Sequence, residues 1–248
     1  MNFPRILKKR KGYIDRIKPF MQKSVIKVLT GQRRVGKSFL LYQLIEEILA
    51  EEPDANIIYV NLEDFTFSSQ QTAEDLHPYI ISHSKEKVKN YIFIDEIQDI
   101  PGFEKVIRSL LLNEDNDIYI TGSNAKMLSG ELATYLSGRY IEFKIYSLSY
   151  SEFLEFHGLT ESETSYELYS RYGGLPYLLN LPLEDETVNE YLKSVYSTIV
   201  FRDVVSRYKL RNTLFLEKLI QFLSENIGNL FSAKNISDYL KSQHTTIS

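Results

Sequence analysis

Short β-rich runs and stretches of helical periodicity alternate along the first three-fifths of the chain. The β-rich runs cover residues 25–30, 56–61, 91–95, 117–121 and 140–146. Helical segments are predicted between them at 37–50, around 72–87, at 102–112 and at 125–136. Over 37–50, Leu40, Leu41, Leu44, Ile45, Ile48 and Leu49 recur at i, i+3 and i+4, one apolar stripe of an amphipathic helix. Such alternation predicts an α/β fold: a mainly parallel sheet with right-handed crossovers and helices on both faces. Ile92-Phe93-Ile94, apolar at consecutive positions, suits a strand buried on both sides.

After Ser149 the strand signal ends, and residues 151–157, 163–172, 188–208 and 213–226 all read as helices. Residues 232–240 read as the first helix of a helix-turn-helix with its turn at 242–246. The second helix would begin where the chain stops, so a truncated chain is expected. The organisation predicted is a basic helical segment (1–23), an α/β core (24–149), a helical region (150–226) and a partial final unit (227–248). In the first of these, Lys8-Lys9-Arg10-Lys11 is the densest basic run, while Tyr13, Ile17 and Phe20 fall at helical spacing. A solvated helix face packed on the next domain and a surface for phosphate backbone or an acidic partner both fit that pattern.

Composition narrows the classes. Of 248 residues, 43% are hydrophobic and 13% aromatic, enough for a real core. A net charge of −4 argues against a globally basic nucleic-acid binder, though a local patch stays open. The absence of cysteine excludes disulfides, thiolate metal sites and cysteine nucleophiles. No run approaches 18 apolar residues, and the first residues lead into charge, so a cytoplasmic protein without a membrane span is expected.

Candidate chemistry begins at Gly31-Gln32-Arg33-Arg34-Val35-Gly36-Lys37-Ser38, which matches G-x-x-x-x-G-K-[ST] at every fixed position, between a β run and a helix. In that pattern backbone N–H groups form an anion nest, Lys37 reaches the β- and γ-phosphates, and Ser38 ligates Mg²⁺. Phe39 completes the nucleotide-binding set. The strand Tyr91-Ile92-Phe93-Ile94 runs into Asp95 and Glu96. Asp95 is expected to hold Mg²⁺ opposite Ser38, and Glu96 to orient the attacking water. Asn124, then Ser123, are the choices for a polar group sensing the γ-phosphate; a helix cap or turn is the competing reading. Arg139 could stabilise transition-state charge in its own or a neighbouring subunit, or form an ordinary surface ion pair. Gly173-Gly174-Leu175-Pro176 demands a tight turn, with Pro176 a candidate for packing on the nucleotide base.

These pieces resemble the AAA-type P-loop ATPases of bacteria and archaea that carry helical and winged-helix regions after the core. Leu29–Ser38, Ile94-Asp95-Glu96-Ile97-Gln98, Thr121-Gly122-Ser123-Asn124, Ser137-Gly138-Arg139 and Gly173–Pro176 carry the likeness, in the expected order. Gly174-Leu175-Pro176 is similar to the glycine-x-proline element of the signal-transduction ATPases with numerous domains. The resemblance implies a five-stranded parallel core with the phosphate-loop strand central, a helical lid, and the start of a winged helix. It also implies ATP/ADP with Mg²⁺, and hydrolysis that drives a switch or motor for an attached domain or partner. A non-hydrolysing, nucleotide-dependent interaction module is the alternative. A small-molecule kinase is a third reading, against which Glu96 argues. A protein partner, a missing C-terminal domain, DNA and a homo-oligomer are the partners considered.

Overall fold

A computed structural model describes residues 8–123, 136, 138–205 and 212–242. Five strands, β1 (Ile26–Gly31), β2 (Asn56–Asn61), β3 (Asn90–Asp95), β4 (Asn116–Ser123) and β5 (Tyr140–Lys144), form one sheet in the order β2-β3-β4-β1-β5. Every pairing is parallel, as the strand–helix alternation predicts. β1 is interior, flanked by β4 and β5, while β4 occupies the middle of the sheet.

The two-residue period of the strands divides the core into two layers. Ile26, Val28, Ile92, Ile94, Ile118 and Ile120 face α3 (Ala73–His83) and α4 (Phe103–Leu110). Leu29, Tyr91, Phe93, Tyr119 and Phe143 face α1 (Lys11–Ile17) and α2 (Lys37–Glu51). Across the second layer Phe93 stacks on Tyr119, their centroids 4.5 Å apart. Lys27 on β1 points into this layer fully buried and pairs with Asp117 of β4, which also accepts from the Tyr119 hydroxyl at 2.8 Å. Burial lowers the Lys27 pKa, while the adjacent Asp117 charge opposes the shift.

After β5 come α5 (Tyr150–His157), α6 (Glu163–Tyr172), a 3-10 turn over Pro176–Asn180, and α7 (Asp185–Thr198). Leu148, Phe153 and Phe156 centre a separate apolar cluster. α5 opens on a capping box in which the Ser149 hydroxyl accepts from the Glu152 N–H and the Glu152 carboxylate accepts from the Ser149 N–H. The chain divides into two compact units, Met1–Asn189 and Glu190–Ser248. In the second, the helix expected over 188–208 changes to π geometry at Ile199–Val205. α8 (Thr213–Glu225) and α9 (Ala233–Ser242) follow, with Phe222 of α8 against Tyr239 of α9 at 5.0 Å between centroids. The expected helix 125–136, except Leu136, and the turn and helix expected after residue 242 lie outside the described residues. Among the described residues no helix is long and apolar enough to cross a membrane.

Three of the four residues of the basic run have partners within the chain, and Lys11 is exposed. Lys9 and Lys18 both pair with Glu47 of α2, at 2.6 and 2.7 Å; Arg10 pairs with Glu152; and the Lys8 ammonium donates to the Phe156 carbonyl. Hydrogen bonds from Lys18 and Lys9 hold the Glu47 carboxyl below the ordinary 4.5. Burial works to raise Glu152, but Arg10 and Ser149 outweigh it and hold it below 4.5 as well. Near that pH the unfolded chain binds more protons than the folded one. The stability these carboxylates add is therefore complete above about 4.5 and lost as pH falls through their lower folded values. The stability difference between wild type and Glu47→Gln is expected to stay constant from about pH 7 to 5 and to shrink below about 4.5. Urea titrations across that range check it; a difference that shrank between pH 7 and 6 would contradict it.

Candidate nucleotide site

The segment joining β1 to α2 has the shape its glycines require. Gly31 lies so close to the chain after β5 that a β-carbon there would stand 2.3 Å from the Ile145 carbonyl oxygen. That approach is secured by the Ile145 N–H donating to the Thr30 carbonyl at 2.7 Å. Arg34 (φ 67°) and Gly36 (φ 92°) adopt left-handed backbone, which curls the loop into the kind of concavity where successive N–H groups cradle an anion. Gly36 caps α2, so the loop ends at a helix N-terminus, where an anion is favoured again.

Lys37, 5% exposed, donates to the carbonyls of Gly31 and Gln32, each at 3.2 Å, and lies 3.5 Å from the Glu96 carboxylate. The Ser38 hydroxyl sits beside the Asp95 carboxyl and favours its charged form. Thus the loop and the acidic strand end, 57 residues apart in the sequence numbering of Ser38 and Asp95, meet in one place. Burial pushes the Asp95 carboxyl upward, against the opposing influence of the neighbouring Ser38 and Thr121 hydroxyls. The Tyr59 hydroxyl stands 3.4 Å from its second oxygen, and burial followed by the Asp95 charge drives the Tyr59 pKa well above its ordinary value.

Thr121 on β4 organises the acidic pair. Its hydroxyl donates to Asp95 and accepts from the Glu96 N–H at 3.0 Å. Glu96 itself is left-handed (φ 57°, ψ 43°), a conformation that costs an ordinary residue about 1–2 kcal/mol. Its carboxylate lies between Lys37 and an amide donated by Gln98, and the side chain is 9% exposed. Thr121 and Gln98 stand within motifs visible in the sequence, but only the sheet order and the turn after β3 reveal these contacts.

The other predicted residues have different placements. Arg33 pairs with Glu63 at 3.1 Å, and Gln32, Arg34 and Phe39 are exposed around the loop. Pro176 reaches the loop: a β-carbon on Gly36 would stand 3.7 Å from its Cγ. Gly174 makes this possible by passing so close to Leu148 that a β-carbon would come 2.2 Å from the Leu148 oxygen. Arg139 immediately precedes β5, beside Ile26 at the start of β1, whereas the phosphate loop leaves the far end. Five residues of strand, about 16 Å, separate the two ends. Arg139 thus stands at the opposite end of β1 from the phosphate loop in its own chain. Ser123 ends β4 opposite Gly31 in the backbone register. Asn124 and Ser137 lie outside the described residues.

A glycine-bearing loop at the C-terminal end of a parallel strand, its lysine and serine joined to a buried acidic strand end, defines an ATPase-type nucleotide-binding module. Residues 23–154 match the family model described as AAA domain, and the chain belongs to that family. Residues 163–248 match a domain of unknown function. An uncharacterized protein of Haemophilus influenzae is 38% identical over 251 residues, covering 96% of this chain and 61% of that one. One of Methanocaldococcus jannaschii is 33% identical over 236 residues, covering 90% and 52%. The chain thus spans only 61% and 52% of the lengths of these relatives. Among solved structures, the Aeropyrum pernix ORC1 protein in complex with DNA aligns with a TM-score of 0.51 at 13% identity, covering 97% of this chain and 84% of that one. That likeness is one of fold.

Thr121 supplies the prediction of this site. Thr121→Val orphans one buried Asp95 oxygen and the Glu96 N–H, and should lower stability by roughly 1–3 kcal/mol for each unpaired group. Thr121→Ser retains the hydroxyl and should lose much less. Urea unfolding of the two variants separates these outcomes, and equal losses would exclude the bridging role.

Proposed function

We propose that the chain is an Mg²⁺-dependent ATPase whose nucleotide state is read by the segment around Gly174-Leu175-Pro176 and passed to an attached domain or partner. The observation that carries this reading is the meeting of Lys37 and Ser38 with Asp95 and Glu96 at one end of the sheet. The residues fit the magnesium nucleotide: a hydroxyl beside a buried carboxylate, and a loop whose Gly31 leaves no room for a side chain. Ser38 and Asp95 would hold the ion, whose charge would offset that of the phosphate oxygens.

The protein's own groups then divide the work. Lys37 exchanges the Gly31 and Gln32 carbonyls for the β- and γ-phosphates, and the loop N–H groups bind the same oxygens. Leaving Lys37, the Glu96 carboxylate is free to accept a hydrogen bond from water and align it on the γ-phosphate, with Gln98 fixing its orientation. Thr121 keeps Asp95 and the Glu96 backbone in register. Pro176, against Gly36, is situated to respond to what the loop holds. The position of Arg139 at the far end of β1 suits a role toward a second copy of the chain or an ordinary surface ion pair better than one at its own loop. Contact with DNA through Lys8–Lys11 is not proposed: Arg10 is buried and Lys8 and Lys9 have partners within the chain.

Glu96→Gln should retain ATP binding while turnover falls by about 10²-fold or more. Lys37→Ala should abolish binding altogether. Phosphate release and calorimetric titration with ATP measure the two separately. Wild-type chain that holds ATP unhydrolysed for hours would instead support the non-hydrolysing interaction module. Unaltered affinity in Lys37→Ala would remove the site itself.

A further inference from the structure

Arg10 lies in the basic run that offers itself as surface, yet it is only 4% exposed. Each of its five guanidinium N–H donors has an acceptor. Nε and one Nη2 proton take the two oxygens of Glu152, at 2.8 and 2.9 Å. The second Nη2 proton goes to the Ser147 carbonyl at 3.3 Å. Nη1 donates to the carbonyls of Tyr146 at 2.8 Å and Val35 at 3.2 Å. The guanidinium also lies 4.5 Å from the Tyr13 ring centroid, and the Arg10 N–H donates to the Gln43 side chain of α2 at 2.9 Å.

One side chain thereby joins the N-terminal segment, the middle of the phosphate loop, the strip leaving β5 and the first turn of α5. The bond to Val35 has a particular consequence. Val35 lies between Arg34 and Gly36, the two left-handed residues of the loop. Its carbonyl shares a planar trans peptide with the Gly36 N–H, so drawing the oxygen toward Arg10 directs that N–H the opposite way. The strip at 146–148 is tied in turn to Gly174, whose carbonyl accepts from the Leu148 N–H at 2.7 Å. A lysine could not replace this: an ammonium has three donors on one point and no planar fork for the Glu152 carboxylate.

We propose that Arg10 is a positioning residue of the nucleotide site: it holds the phosphate loop in its binding shape and couples it to the strip and helix turn at 146–152. This inference rests on the reading of residues 31–38 as a nucleotide site. Because such coupling is reciprocal, nucleotide at the loop must also stabilise residues 146–152.

The test uses ADP with Mg²⁺ as the probe and compares wild type, Arg10→Lys, Glu152→Gln, the double variant, and Val106→Ala, a core truncation on the other sheet face. Arg10→Lys and Glu152→Gln should each weaken ADP binding by about tenfold, and the double variant should be little weaker than the worse single one. Val106→Ala should lower the melting temperature but leave affinity within about twofold of wild type. In hydrogen exchange, ADP should protect amides at 146–157 of wild type and fail to do so in Arg10→Lys at saturating ADP. Affinity within about twofold of wild type in the folded Arg10→Lys chain, additive losses in the double variant, or equal losses in Val106→Ala would each overturn the proposal. If Arg10→Lys does not fold, Glu152→Gln decides it by the same thresholds. Wild-type binding that requires Lys37 but neither Arg10 nor Glu152 defeats this inference alone; ADP binding that ignores Lys37 defeats the nucleotide-site reading beneath it.

Discussion

A carboxylate buried at the end of β3 is the constraint around which the site is built. Removing Asp95 from water favours its neutral form, so it can remain charged only if its oxygens are hydrogen-bonded. The sheet order meets that demand from both sides. β4, lying between the acidic strand and β1, brings the Thr121 hydroxyl to one oxygen, and β2 brings the Tyr59 hydroxyl toward the other. The loop after β1 adds Ser38. Had β1 paired directly with β3, no strand would stand between them to carry Thr121.

Of the four non-glycine residues with left-handed backbone among the described ones, two fall at the same place and two, Gln22 and Lys87, lie elsewhere. Glu96 and Arg34 are non-glycine residues in left-handed conformation, one directly after the buried carboxylate and the other within the phosphate loop. Such positions persist only where surrounding contacts over-determine them. Glu96 is fixed through its N–H by Thr121 and through its side chain by Lys37 and Gln98. The strain is thus borne by residues that the proposed chemistry needs at a set orientation.

Much of this was legible in the sequence, and the reason is locality. Strand and helix periods are local, so five strands and the flanking helices could be read from residues a few positions apart. The loop at 31–38 and the pair Asp95-Glu96 are contiguous motifs whose chemistry requires those residue types side by side. What stayed hidden depends on contacts across the fold. Arg10 meets Glu152 over 142 positions, and nothing in a run of four basic residues tells which one is buried. Arg139 shows the converse: its neighbours in sequence suit a phosphate contact, but only the parallel pairing of β5 with β1 tells that it stands at the end of the sheet opposite its own chain's loop. Thr121 was visible as the start of a motif, while its two hydrogen bonds follow only from strand order.

The burial of Arg10 also bears on how the loop and the helical region can move. A guanidinium out of water is tolerable only while its donors are satisfied, and removing one partner of a buried pair leaves an uncompensated charge. Glu152 serves twice, accepting from Arg10 and from the Ser149 N–H that begins α5. Moving α5 away from the loop would therefore unseat the arginine and loosen its hold on the Val35 carbonyl, while the cap, made within α5 by Ser149 and Glu152, would travel with the helix. Partial displacement gains nothing, because each intermediate position leaves buried polar groups unpaired. Contacts arranged in this way resist gradual displacement, which is the behaviour the proposed nucleotide-driven switch would draw on.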